Sequence, residues 1–195
     1  MANKIKFGLS NVHYAKITEV STDGVPTYGE IKRIPGAVNL ALDPEGTSEP
    51  FYADNIVYHN TKTNAGYAGD LEIALIPDDF RIDILGDKVD DNGVIIEDSD
   101  AQGSEFALFF QFEGDESGRR HIMWRCSVER PSVEGATKED TTTPNTDTLT
   151  LTAMAREDNH QIKGYVDNTA DQKSVYENWF TQVYEPTFAN SQSLV

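Results

Sequence analysis

A single cysteine, Cys126, stands in 195 residues, so no internal disulfide can form, and no Asn begins an N-x-Ser/Thr triplet. Neither absence suits an oxidising compartment. No run approaches ~18 apolar residues, and the stretch from Met1 to Gly8 lacks the apolar core of a leader, so neither a signal peptide nor a transmembrane helix is expected. Lysine and arginine never cluster beyond the pairs Lys32-Arg33 and Arg119-Arg120, which argues against binding nucleic acid through a basic face. The expected setting is a cytoplasm, with no membrane partner.

Catalytic signatures are missing as well. There is no G-x-S-x-G elbow, no phosphate-binding G-x-x-x-x-G-K-[ST] loop, no G-x-G-x-x-G and no H-E-x-x-H. The four histidines (His13, His59, His121, His160) never fall three or four residues apart, the spacing that helical metal ligands need. Cys126 is expected on an apolar strand face with Ile122, Trp124 and Val128, opposite His121, as a small hydrophobe rather than a nucleophile. The acidic stretch around Asp90 fails the calcium-loop register: with Gly93 in sixth place, Lys88 would be first and Ser99 twelfth. Starting instead at Asp98 puts Phe109 where the bidentate Glu belongs. Carboxylate pairs such as Glu129 with Glu134, or Asp78 with Asp79, are what chance gives among 33 acids. The expectation is no catalytic residue, no metal and no cofactor.

Acid is what the chain has in excess, with 33 acidic against 16 basic residues and a net charge of −17 spread along its length. Such a surface repels polyanions and opposes self-association. Hydrophobic periodicity is mostly two, the mark of half-buried strands. Phe106, Leu108, Phe110 and Phe112 share one face of a strand, with Ala107, Phe109 and Gln111 on the other. The glycine-flanked stretch 114–118 then turns the chain into a second strand over 119–130. Residues 148–156 alternate Thr with Leu149, Leu151 and Ala153, and 71–76 set Leu71, Ile73 and Leu75 against Glu72. Weaker strands are read at 4–9, 12–20, 37–42 and 56–62, and Asn92-Gly93 as a two-residue hairpin turn.

Two helices are expected. Pro77-Asp78-Asp79 opens a short one that buries Phe80, Ile84 and Leu85 and stops at Gly86. Thr169 and Gln172 form a capping-box pattern before Val175, Tyr176, Trp179, Phe180 and Val183, whose helical spacing should lay them across a sheet until Pro186. Residues 43–66 are long and carry aromatics, and are assigned to contacts; residues 131–147 are assigned to a mobile loop. The chain reads as one domain, residues 1–195.

An ordered set of segments carries a resemblance. Asp43-Pro-Glu-Gly46 precedes Phe51-Tyr-Ala-Asp54, and Leu71 to Phe80 runs on to Leu85-Gly86. Then come Phe106 to Phe112, the strand from Arg119 to Glu129, Thr148 to Ala153, and Tyr176-Glu-Asn-Trp-Phe180 before Pro186. Across residues 3–186 the sequence resembles the major tail protein, or tail tube protein, family of long non-contractile tailed bacteriophages of Gram-positive hosts.

The resemblance implies a mainly β fold: an antiparallel β-sandwich or flattened barrel with one flanking C-terminal helix, a short helix and an extended hairpin loop. It implies a virion subunit, assembled in the bacterial cytoplasm, that polymerises as stacked, hexameric rings around a tape-measure protein. Tail terminator and distal tail proteins are its other partners, and genomic DNA passes through an acidic lumen without specific binding. Residues 1–10 would be an N-terminal arm, 187–195 a C-terminal tail, and 43–66 an inter-ring loop with Phe51, Tyr52 and Tyr58 as contacts. No segment reads as the added immunoglobulin-like domain that some relatives carry. The rival reading is a carbohydrate-binding or adhesin-like β-sandwich, which aromatics and acidic loops would also suit.

Overall fold

The computed structural model describes residues 4–135, 137 and 144–188. The first half holds β1 (Lys4–Val20), β2 (Pro26–Arg33), β3 (Ala37–Glu45), β4 (Ser48–Ala53), β5 (Ile56–Lys62) and β6 (Gly66–Ile73). A single helical turn follows, α1 (Asp78–Phe80), which widens into a π turn over Arg81–Leu85. Then come β7 (Lys88–Val89), β8 (Ile95–Ile96), β9 (Phe106–Asp115), β10 (Arg120–Val128), β11 (Asp147–Ala153), β12 (Lys163–Val166) and α2 (Lys173–Glu177). One antiparallel sheet runs β2-β1-β9-β10-β11-β6-β3, with β12 added alongside β10, while β4–β5 and β7–β8 are separate hairpins.

The sheet curls on itself, so that β1 and β3 come into contact from different parts of the strand order. Its concave side gathers Tyr14, Phe106 and Leu108 against Leu71, Ile73, Leu149 and Leu151, and Phe80, Ile84 and Leu85 plug this core. Phe80 meets Tyr14 and Phe106 edge-on, with ring centres 5.0 and 5.5 Å apart. The other side carries Ala15, Ala107, Phe109, Ile122 and Trp124, covered by Trp179 and, partly buried, Val175, Tyr176, Phe180 and Val183. Phe109 makes both faces of β9 apolar because both are covered. The result is an open sandwich, with β2 and β3 as its terminal strands.

Cys126 departs from the expected alternation. β10 shifts register against β9 between Met123 and Cys126, and such a bulge inserts a residue and reverses the faces that follow. Cys126 therefore joins Met123 in the concave core, while Ile122 and Trp124 stay on the helix side. The same irregularity lets β10 change partners, from β12 along Arg120–Met123 to β11 along Cys126–Val128.

Other departures have local causes. The strands expected at 4–9 and 12–20 are one strand, because Gly8 and Asn11, at φ 64° and 51°, bulge it without ending it. The residues expected to form an N-terminal arm are, from Lys4 onward, paired with β9, while residues 1–3 lie outside the described part. Leu75 is 70% exposed, since β6 stops at Ile73 and the chain turns so that Ile76 is buried instead. The Ile76 N–H donates to the Asp147 carboxylate at 2.9 Å, which fixes that turn.

Asn92-Gly93 does lie in a hairpin, but only Gly93 has positive φ, at 83°. The Asp90 carboxylate accepts the N–H groups of Asn92 and Val94 at 2.8 Å each, so an Asx turn closes a longer loop. Gln172 accepts the Asp167 N–H at 3.1 Å, and Thr169 makes no side-chain cap. α2 is correspondingly short, and the Asn178 amide donates to the Ser174 carbonyl at 3.0 Å, competing with a further helical turn. Residues 136, 138–143 and 189–195, within the expected mobile loop and C-terminal tail, lie outside the described part.

Candidate assembly surfaces

The reactive side chains are poorly placed for chemistry. Burial pushes the Cys126 thiol up to about 12, so it is fully protonated near neutrality. His121 now shares its face, but Cys126 pairs opposite Phe106 and His121 opposite Phe110, roughly 15 Å along the strand. His13 stacks on Phe180 with centres 4.6 Å apart and lies below the ordinary histidine range through burial. Among the described residues, no three His, Cys, Asp or Glu side chains gather as a metal site would require. No helix there is long and apolar enough to cross a membrane.

Beyond Glu45 the chain leaves the sheet as a projecting hairpin. Its root is clasped where the Thr47 N–H donates to Thr63 Oγ1 at 2.9 Å and the Thr63 N–H to the Thr47 carbonyl at 3.0 Å. β4 and β5 pair from Ser48 with Lys62 to Ala53 with Ile56, and Asp54 and Asn55 turn the chain at φ 53° and 63°. Both central residues being left-handed is the hairpin-compatible type I′ geometry. Six residues of strand reach ~20 Å.

Phe51, Tyr52 and Tyr58 are 62%, 63% and 71% exposed, so none belongs to the core of the isolated chain. Ile56 and Val57 are exposed beside them. An isolated two-stranded hairpin is marginally stable in water, and large exposed apolar patches mark interaction surfaces. The length of residues 43–66 and their aromatics signal a contact region in the sequence, whereas the Asp54-Asn55 turn carries no such signal because it contains no glycine. The other predicted contact set, Val175, Tyr176, Trp179 and Phe180, lies against the convex side of the sheet, where Trp179 is buried and its indole N–H reaches the His121 carbonyl at 3.3 Å.

A second feature is a cleft of about 360 Å³ between β10, β12 and the β3–β6 side of the sandwich. It is lined by cations and rings, a combination the sequence does not reveal because they lie far apart in the chain. Lys6 Nζ sits 4.8 Å from the centre of Phe112, Lys163 Nζ 4.1 Å from Tyr67, and Arg119 Cζ 3.9 Å from Tyr165. Arg119 also forks onto Asp167 at 2.7 and 2.8 Å. His121 forms part of the wall, stacked on Phe110 at 5.0 Å, and burial together with the charges of Arg119, Lys6 and Lys163 pushes it down to about 4.

The sequence model of a family described as phage tail tube protein matches residues 2–110, more than half of the 195-residue chain and the part that contains the hairpin. Among curated proteins no match is found.

Proposed function

The chain belongs to the phage tail tube protein family, a structural component of the virion tail, and we propose that it polymerises as stacked hexameric rings with no catalytic activity of its own. The tube encloses the tape-measure protein, ends at the tail terminator and distal tail proteins, and later passes the genome. Residues 43–66 bridge successive rings through Phe51, Tyr52 and Tyr58. The observation that carries this reading is the hairpin itself, which leaves the sheet and exposes its large apolar side chains in the single chain.

Two further features support it. β2 and β3 are terminal strands whose outer backbone groups have no strand partner among the described residues, and ring closure removes such edges. A net charge of −17 suits a wall past which DNA slides, since a basic wall would hold phosphates by releasing counterions. Deleting residues 47–63 is expected to leave a folded monomer that forms no tubes, by circular dichroism, size-exclusion chromatography and negative-stain microscopy. Tubes of normal length from the deleted chain would contradict the assignment of the hairpin.

A further inference from the structure

We propose that the cationic, aromatic cleft between β10, β12 and the β3–β6 side receives the β4–β5 hairpin of a second copy of this chain. Glu49 and Asp54 then meet Lys6 and Lys163, and Phe51 and Tyr52 enter among the rings. This rests on the reading of the hairpin as the ring-to-ring contact and adds its receptor.

Charge selects the occupant. Acids outnumber bases by 33 to 16 in the chain, yet Lys6, Arg119 and Lys163 converge on one cleft, and no carboxylate lines it among the described residues. The hairpin is the complement: from Glu49 to Asn60 its formal charges are the acids Glu49 and Asp54, with Lys62 back at the root opposite Ser48. Between two bodies that repel each other overall, this is a local pairing of opposite sign, and such pairing fixes register and partner.

The cations are also poised for it. Lys6 and Lys163 rest over aromatic rings, and among the described residues neither is paired with a carboxylate. An arriving acid adds an ion pair without breaking one. Apolar surfaces match too, since the cleft presents Phe112, Tyr67 and Tyr165 beside Phe110, and the hairpin presents Phe51, Tyr52, Ile56, Val57 and Tyr58. A cleft of about 360 Å³ falls in the size range of pockets that bury ring-sized groups.

Reach excludes self-insertion. Leu42 and Tyr67 of the cleft lie at the hairpin's own root, within three residues of Glu45 and within one of Gly66, so the tip stands ~20 Å away from the cleft of its own chain. Donor and receptor are thus different surfaces of one molecule. Contacts of that kind are head-to-tail, and where no rotation closes them into a ring they propagate, as a stack of rings must.

The test uses the full chain in three forms, unaltered, with Lys6→Glu and Lys163→Glu together, and with Phe51→Ala and Tyr52→Ala together. The cleft variant is expected to keep its circular dichroism spectrum and to lose at least ten-fold in sedimentable tube mass. Adding Glu49→Lys and Asp54→Lys to it should restore tubes. Tubes at the unaltered yield from the cleft variant, with none from the hairpin variant, would overturn the receptor and leave the hairpin reading standing. Tubes from both, or none from the unaltered chain, would overturn that underlying reading and the receptor with it. If the cleft variant misfolds, two chains that lack the native thiol through Cys126→Ala, one carrying Tyr52→Cys and the other Tyr165→Cys, decide the matter, because mixed tubes should give a heterodimeric disulfide and its absence rejects the contact.

Discussion

Arg156 is 2% exposed, and its guanidinium forks onto Asp158 at 2.9 and 2.8 Å while reaching Glu185 at 2.6 Å. A buried charge survives only when so paired. The consequence is mechanical, because Glu185 lies beyond α2, and the pair ties the end of the described chain to the loop after β11. Trp124 adds a second tie, its indole N–H donating to the Tyr184 carbonyl at 3.0 Å. His121 shows the opposite arrangement, a titratable ring held uncharged by burial, then by Arg119, Lys6 and Lys163, with Asp167 opposing. Its folded value of about 4 lies below the ordinary 6.5, so between these the unfolded chain binds the extra proton. Stability from this group is therefore complete above pH ~6.5 and falls as pH drops toward 4. The thermal midpoint of the unaltered chain should fall more between pH 6.5 and 5 than that of His121→Gln; equal falls would contradict the assignment.

At the scale of elements, the hairpin is the part whose form depends most on two residues. Asn55 sits at φ 63°, a region that costs a β-branched residue about 1–2 kcal/mol and glycine nothing. Asn55→Val should therefore speed amide exchange across residues 48–62 and reduce tube yield while leaving the thermal midpoint of the sandwich unchanged, and Asn55→Gly should do neither. Loss of the sandwich midpoint in Asn55→Val would show that the hairpin is not a separate unit. The elements of the sandwich were largely legible: β9, β11 and the Phe80 plug follow from period two, from Pro77 and from Gly86. Several departures share one cause, since an alternation rule cannot see a register shift or a side chain that captures a backbone group. The bulge before Cys126, the Asp90 and Asp147 carboxylates and the Asn178 amide are of that kind, whereas β2, with no clean alternation of burial, and the four-residue β12 are absent from the expected strands. The cleft was illegible for another reason, as Lys6, Arg119 and Lys163 meet only after the sheet has assembled.

For the whole molecule, one chain is an incomplete object. Its terminal strands β2 and β3 lack outer partners among the described residues, its hairpin exposes rings, and its net charge of −17 keeps such copies apart. Membership of the tail tube family supplies the setting in which these properties are assets, because the assembly proposed above would pair the edges and cover the aromatic side chains. The most direct measurement is a cryo-electron microscopy reconstruction of the assembled tube. Stacked rings with an acidic inner wall, and with Phe51 and Tyr52 of each subunit buried in the adjacent ring, are the expected result. A tube in which residues 48–62 stand free in solvent, or whose inner wall is net positive, would contradict it.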